Sequence, residues 1–149
     1  MKKAVVLLTF IALVPSSCIP SRVTEVKQGI RGRVLWIEGN QMPGPGRKST
    51  EGKPVIRELF IYKVLKLSDL TRVGALFSQP NQEPILIVKT NEAGEFQANL
   101  DEGVYSILTR EETGFFANSF DGSSNVMPVE VTTGNYTLVN ISINYKAVY

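Results

Sequence analysis

Apolar and polar residues alternate along much of the chain at the two-residue period of a β-strand. Residues 95–100 alternate strictly, and in residues 137–145 the odd-numbered positions share one face while the even-numbered positions share the other. Turns rich in Gly, Asn and Asp separate these runs. We therefore predict strands there, with a core formed by Phe96, Tyr105, Val139, Ile141 and Ile143.

The remaining segments extend this all-strand pattern. The predicted strands are residues 29–36, 54–67, 85–90, 104–110, 115–117 and 127–131. Residues 39–53, rich in Gly and Pro, are predicted to form a loop. In residues 68–84, Ser68 could cap one helical turn at 70–73, but Gly74 and Pro80 prevent a longer helix.

Seven or eight short strands with tight turns and no long helix indicate an all-β fold. We predict one immunoglobulin- or transthyretin-like β-sandwich of seven to eight strands over residues 27–149. No internal disulfide is possible because Cys18 is the only cysteine, so packing alone must stabilise the domain.

The amino terminus has the layout of a secretory signal. Lys2 and Lys3 precede an apolar run over residues 4–14, and small residues lead directly to Cys18. The run is shorter than the roughly 20 residues of a membrane span. The end of this leader resembles the bacterial lipobox, in which the cysteine thiol receives a lipid, the leader is cut and the new amino terminus is acylated, although Pro15 replaces the usual aliphatic residue. We expect a signal peptide at 1–17, and a lipid anchor at Cys18 with a tether at 18–26; the alternative is a secreted protein with an incidental cysteine.

Charge and composition exclude several classes of function. Lys2 and Lys3 account for the whole net charge of +2, so the mature chain is neutral, with 14 basic and 14 acidic residues. Neutrality argues against a nucleic-acid partner, which requires a basic field. The chain has no histidine, the commonest general base and usual zinc ligand. We expect no catalytic residues, no metal and no cofactor.

Two turn-and-strand blocks resemble a known family. Residues 90–96, Thr-Asn-Glu-Ala-Gly-Glu-Phe, and residues 100–107, Leu-Asp-Glu-Gly-Val-Tyr-Ser-Ile, are similar to the signature of carboxypeptidase regulatory-like domains, also called transthyretin-like or prealbumin-like. Residues 29–34 resemble the first strand of that family. Residues 42–46, 114–122 and 145–149 look like a small group of Bacteroidetes lipoproteins built on the same fold.

The resemblance implies a contact module and transfers no catalytic residues. We expect a lipid-anchored, non-catalytic β-sandwich of the bacterial envelope, on the outer membrane, that contacts a protein or a glycan. Two alternatives remain open: an envelope-polymer hydrolase that uses carboxylates, and a secreted carrier of a small ligand.

Residues 111–125 are the candidate contact segment, because they mix aromatic and charged side chains. The candidate residues are Glu111, Glu112, Phe115, Asn118 and Asp121. The alternative is that the rings of Phe115 and Phe116 belong to the core while the charges are solvated. Residues 121–125 resemble a calcium loop only loosely, and an Asx turn is favoured there.

A second aromatic set could form a stacking platform for a sugar or a peptide, although strand aromatics belong to a core more often. Its members are Trp36, Phe115, Phe116, Tyr136 and Tyr149.

Overall fold

The computed structural model describes residues 27–46 and 51–149. The predicted signal peptide, Cys18 and the tether lie outside the described residues, as do residues 47–50 of the predicted loop.

Eleven strands and one 3₁₀ turn (Leu67–Asp69) make up the regular structure of the described residues. The strands are β1 (Gly29–Asn40), β2 (Lys53–Pro54), β3 (Glu58–Lys63), β4 (Arg72–Val73), β5 (Leu76–Phe77), β6 (Leu86–Lys89), β7 (Glu95–Asn99), β8 (Gly103–Glu111), β9 (Gly114–Phe116), β10 (Pro128–Val131) and β11 (Tyr136–Val148).

The strands form two packed sheets, which confirms the all-β sandwich. In the four-stranded sheet, β11 pairs with one side of β1, and β2 and β7 pair with the other side. In the seven-stranded sheet the order is β4-β5-β9-β8-β3-β6, and β10 also pairs with β8. The count exceeds the predicted seven to eight because β2, β4 and β5 have only two residues each.

The first and last strands lie side by side and run parallel, which joins the two ends of the domain. Glycine is required at Gly32 in β1, because a Cβ there would overlap the carbonyl oxygen of Val139 in β11. The pairing register shifts between Trp36 and Glu38, where β11 carries one more residue than β1. A β-bulge of this kind bends a strand and re-aims its side chains.

The core lies between the two sheets. Phe96, Tyr105, Ile141 and Ile143 are buried as predicted, and Val139 is half-buried against the core. Phe96 is in β7 of the four-stranded sheet, whereas Tyr105 is in β8 of the other, so the two rings come from opposite sheets.

Tyr105 also ties the start of β8 to the preceding turn. Its hydroxyl donates a 2.9 Å hydrogen bond to the carbonyl of Asp101. A tyrosine bonded to the backbone a few residues upstream is the tyrosine corner of Greek-key sandwiches.

The single long strand predicted over residues 54–67 is wrong. The chain leaves the four-stranded sheet at Val55, whose N–H donates to Val34, and enters the other sheet at Glu58. The Thr90 hydroxyl fixes this crossover by accepting from Arg57 N–H and donating to the Val55 carbonyl. Both faces of β3 itself are apolar, because Leu59 and Ile61 on one face and Phe60 and Tyr62 on the other are all buried or half-buried.

The helical turn predicted at residues 70–73 is also displaced. The 3₁₀ turn lies earlier, at Leu67–Asp69, and residues 72–73 form β4 instead. The Asp69 carboxylate accepts a hydrogen bond from the Lys66 N–H, which fixes this turn. The pattern of apolar residues does not indicate that hydrogen bond.

Candidate functional site

A buried carboxylate lies at the end of β8 and connects three parts of the fold. Glu111 Oε1 accepts a 2.8 Å hydrogen bond from Arg57 Nε, and Glu111 Oε2 accepts a 3.0 Å bond from the Tyr145 hydroxyl. The Glu111 side chain is 2% exposed and the Arg57 side chain is 28% exposed. The pair thus links β8 to the crossover before β3 and to β11.

Trp36 of β1 covers this pair from the side. Its ring meets the edge of Tyr145 at a centroid distance of 5.4 Å, and the guanidinium of Arg57 lies 5.4 Å from the same ring. Lys146 Nζ is 5.5 Å from the Trp36 centroid. We call Trp36, Arg57, Glu111 and Tyr145 the Glu111 cluster. It borders a cavity of about 250 Å³.

The Tyr145 hydroxyl is held in its neutral form. Burial raises the pKa of Tyr145 to about 12, and the hydrogen bond donated to Glu111 adds to the shift. With both its oxygens hydrogen-bonded, the Glu111 carboxylate is arranged as a structural anchor of the sandwich, not as a free acid or base.

The candidate contact segment divides into buried and exposed parts. Phe115 and Phe116 are buried, with Phe115 only 1% exposed, so the alternative that these rings belong to the core is confirmed. Glu111 is buried as well, whereas its charge was expected to be solvated in that alternative. In this conformation neither Glu111 nor Phe115 is available to a partner.

The other three candidates of that segment are exposed. Glu112 lies at the tip of the β8–β9 hairpin. Asn118 Nδ2 donates a 3.1 Å hydrogen bond to the Ser142 carbonyl of β11. Asp121 Oδ1 accepts from the N–H groups of Ser123 and Asn125.

The Asp121 bonds form the favoured Asx turn, which is confirmed. The hydrogen bonds from Asn125 are the main reason that the pKa of Asp121 is lowered. Across the described residues, no group of three His, Cys, Asp or Glu side chains could hold a metal ion.

The aromatic platform does not assemble as one surface. Phe115 and Phe116 are core, Trp36 and Tyr136 are half-buried, and Tyr149 is exposed. Tyr136 instead joins a polar network on the four-stranded sheet, where its hydroxyl donates to Asn99 and accepts from Gln97 Nε2.

A concave surface with a volume of about 670 Å³ lies on the outer face of the four-stranded sheet. We call it the outer-face groove. Three strands supply most of its lining, namely Arg31, Arg33 and Leu35 of β1, Glu95 and Gln97 of β7, and Leu138 and Asn140 of β11.

The outer-face groove contains both charged and apolar side chains. Arg33 and Glu95 form a 2.7 Å ion pair in which both side chains are about half exposed. Hydrogen bonds from Arg33 and then Asn91 lower the pKa of the Glu95 carboxyl. Leu138 is 68% exposed and is the most exposed large hydrophobic residue of the described chain. Apolar surface with a few fixed polar groups is typical of binding sites.

Sequence patterns did not reveal this groove or the Glu111 cluster. Arg57 and Glu111 are 54 residues apart, and only the pairing of β3 with β8 brings them together. The groove has one signal in the sequence, since Arg31, Arg33 and Leu35 alternate with Ile30, Val34 and Trp36 in the first strand. The same alternation puts Leu138 on the face of the last strand opposite Ile141. The sequence does not show which strands lie beside these two.

Searches against known protein families, curated proteins and solved structures found no match to the chain. Within residues 27–46 and 51–149, no helix is long and apolar enough to cross a membrane.

Proposed function

We propose that this chain is a lipid-anchored, non-catalytic β-sandwich module of the bacterial outer membrane that contacts a protein or glycan partner of the envelope. The contact surface is the outer-face groove. The single observation that carries this proposal is the groove itself, which combines a large concave volume with exposed Leu138 and two guanidinium groups.

The size of the groove supports a binding role. Ligand sites usually enclose about 300–1,000 Å³ and combine apolar surface with a few oriented polar groups. Here Glu95 holds Arg33 in one orientation, while Gln97 is hydrogen-bonded to Tyr136. Side chains that are already fixed lose little conformational entropy when a partner binds.

The groove is a better contact surface than residues 111–125. The exposed polar groups Asn118 and Asp121 are occupied by hydrogen bonds within the chain, which a partner would have to replace. Glu112 remains as a single exposed charge at a hairpin tip, and isolated surface charges contribute little to affinity.

The non-catalytic part of the proposal is supported by the state of Glu111. A carboxylate-based hydrolase needs two carboxyl groups that flank the scissile bond. Glu111 is the only buried charged residue among those described, and both of its oxygens are occupied by Arg57 and Tyr145.

The anchor and family parts rest on the sequence. Cys18 follows a leader of signal-peptide layout, and residues 90–107 resemble carboxypeptidase regulatory-like domains. We propose that Cys18 is the lipidated amino terminus and that residues 27–149 form a domain of that family. Mass spectrometry of the membrane fraction should find acyl mass on Cys18, and Cys18→Ser should release the protein from the membrane. A Cys18→Ser chain that stays wholly membrane-bound would contradict the anchor.

A pull-down from native envelope with two matched triple variants tests the contact surface. Arg31→Ser/Gln97→Ser/Leu138→Ser removes exposed groups of the groove and leaves the core intact. Its control, Glu112→Ala/Asn118→Ala/Asp121→Ala, removes the exposed groups of residues 111–125.

We expect the groove variant to lose the partner while the control retains it, with both melting as folded proteins. Loss of the partner only in the control would place the contact on residues 111–125 and overturn the proposed surface. Digestion of envelope glycans before the pull-down distinguishes a glycan partner from a protein partner.

A further inference from the structure

One edge of the four-stranded sheet is open along the longest strand of the fold. Among the described residues, β11 pairs only with β1, so its second edge has no strand beside it. The Asn135 carbonyl accepts from Gly29 N–H of β1, and the Ser142 carbonyl accepts from Asn118 on the other side. Since backbone groups alternate in direction along a strand, the even-numbered residues of β11 before the register shift, from Tyr136 to Ser142, direct their N–H and C=O groups to the open edge.

Over residues 136–145 this edge lacks charge and proline, two of the features by which proteins block unwanted strand pairing. Exposed edges normally carry Lys, Pro or other charges, or are very short. Residues 136–145 read Tyr-Thr-Leu-Val-Asn-Ile-Ser-Ile-Asn-Tyr, with no charge, no proline and no glycine. The first charge comes only at Lys146, and Asn118 is the only side chain hydrogen-bonded to an even-numbered carbonyl within this stretch.

The open edges of the seven-stranded sheet differ. Strand β6 has four residues and ends at Lys89, and β4 has two residues and begins at Arg72. They are short and carry cations, which is the usual protection. Among the other edge strands of the described residues, β2, β7 and β10 have two, five and four residues and carry Lys53, Glu95 and Glu130, so β11 is the long edge without a charge before Lys146.

We propose that β11 pairs with β11 of a second copy of this chain, antiparallel about a two-fold axis at Asn140. A two-fold contact places a strand opposite itself, so it tolerates only side chains compatible with their own copies. Like charges directly opposite are destabilising, and β11 has none before Lys146.

In this register Asn140 lies opposite Asn140 of the second copy, and Leu138 lies opposite Ser142 of the second copy. The amide of Asn140 both donates and accepts, so two copies satisfy each other. Leu138, which is largely exposed in the single chain, becomes partly covered. The Asn118 side chain leaves the Ser142 carbonyl as the partner strand arrives, and the outer faces of the two four-stranded sheets become continuous.

Disulfide trapping in the envelope tests this pairing on the full-length chain. Opposed residues of an antiparallel hydrogen-bonded pair have Cα atoms about 5.5 Å apart, within disulfide range. We expect Asn140→Cys to give several-fold more cross-linked homodimer than Ile87→Cys, an exposed edge position on β6. The wild-type chain sets the background from Cys18.

A charge-swap pair provides a second, independent test. Asn140→Asp and Asn140→Lys should each pair several-fold less than wild type, because each charge faces its own copy. Co-expressed with different tags, the two variants should pair with each other. Restored pairing also shows that both variants are folded.

Three results would overturn the proposal. The first is cross-linking of Asn140→Cys at the level of Ile87→Cys, as would occur if residues 19–26 filled the edge. The second is an Asn140→Cys adduct with a different protein, which would assign the edge to a foreign strand. The third is charged variants that pair as well as wild type.

Discussion

Glu111 and Arg57 form an ion pair in which the carboxylate is 2% exposed and the guanidinium 28% exposed, with 2.8 Å between Oε1 and Nε. The pair fixes the segment where the chain crosses from one sheet to the other. Tyr145 donates to the second carboxylate oxygen and so connects the same point to the last strand. A buried charge without its partner is far more costly than the intact pair.

Removal of Glu111 should therefore destabilise the sandwich. We expect Glu111→Ala to lower the free energy of unfolding by about 2–4 kcal/mol, because it leaves Arg57 Nε and the Tyr145 hydroxyl without an acceptor. Denaturant unfolding measures this difference. The control is Glu112→Ala, one residue along and exposed, with an expected effect within about 0.5 kcal/mol. Equal unfolding midpoints for the two variants would show that the buried pair is not a stabilising anchor.

Alkaline pH should destabilise the fold through Tyr145. Its pKa is raised from 10.0 to about 12, mainly by burial and then by the bond to Glu111, so the folded state favours the neutral phenol. The stability this provides is complete below pH 10 and is lost as pH rises towards 12.

Tyr145→Phe should reduce the slope of stability against pH in that range without abolishing it. The pKa values of Tyr62 and Tyr105 are also raised, chiefly by burial, so part of the slope remains. Unfolding midpoints measured across the range for both proteins give the two slopes. Identical slopes would mean that Tyr145 titrates as an ordinary exposed tyrosine.

Two buried tyrosines should respond in opposite ways to loss of the hydroxyl. The Tyr62 hydroxyl is buried without a hydrogen-bond partner among the described residues, whereas the Tyr105 hydroxyl donates to the Asp101 carbonyl. We expect Tyr62→Phe to be neutral or stabilising by up to about 1 kcal/mol, and Tyr105→Phe to cost about 1 kcal/mol. Thermal melts compare the two directly, and a costlier Tyr62→Phe would indicate a bonded hydroxyl.

Gly94 should be irreplaceable, for two reasons that a control can separate. Its φ is +72°, and a Cβ there would overlap the carbonyl oxygen of Val34 in β1. Gly74 has a similar φ of +63° but open space around it. Gly74→Ala should cost about 1–2 kcal/mol from backbone conformation alone, and Gly94→Ala at least about 3 kcal/mol. If both cost the same in denaturant unfolding, the close approach to β1 does not matter.

Local patterns predicted the strands whose two faces differ. Strict alternation located β7 and β11, and a Gly-containing turn located the start of β8. The same patterns failed for residues 54–67, where the chain leaves the four-stranded sheet and enters the seven-stranded sheet, and where both faces are apolar. The two-residue strands β4 and β5 are too short to show any period.

The candidate sites were less predictable than the fold because they depend on distant pairings. The sequence left Phe115 as either a contact or a core residue and gave no sign that Glu111 is buried, whereas the pairing of β8 with β3 and β9 encloses both. The outer-face groove forms only because β7 and β11 lie on either side of β1, and no local sequence pattern predicts that strand order.

The most direct test of the central claim is photo-cross-linking in living cells. A photoreactive residue at Arg31, in the outer-face groove, is compared with one at Glu112, the exposed tip of the β8–β9 hairpin. Our account predicts an adduct with an envelope component from the Arg31 position and none from the Glu112 position. Adducts only from Glu112, or equally from both positions, would contradict it.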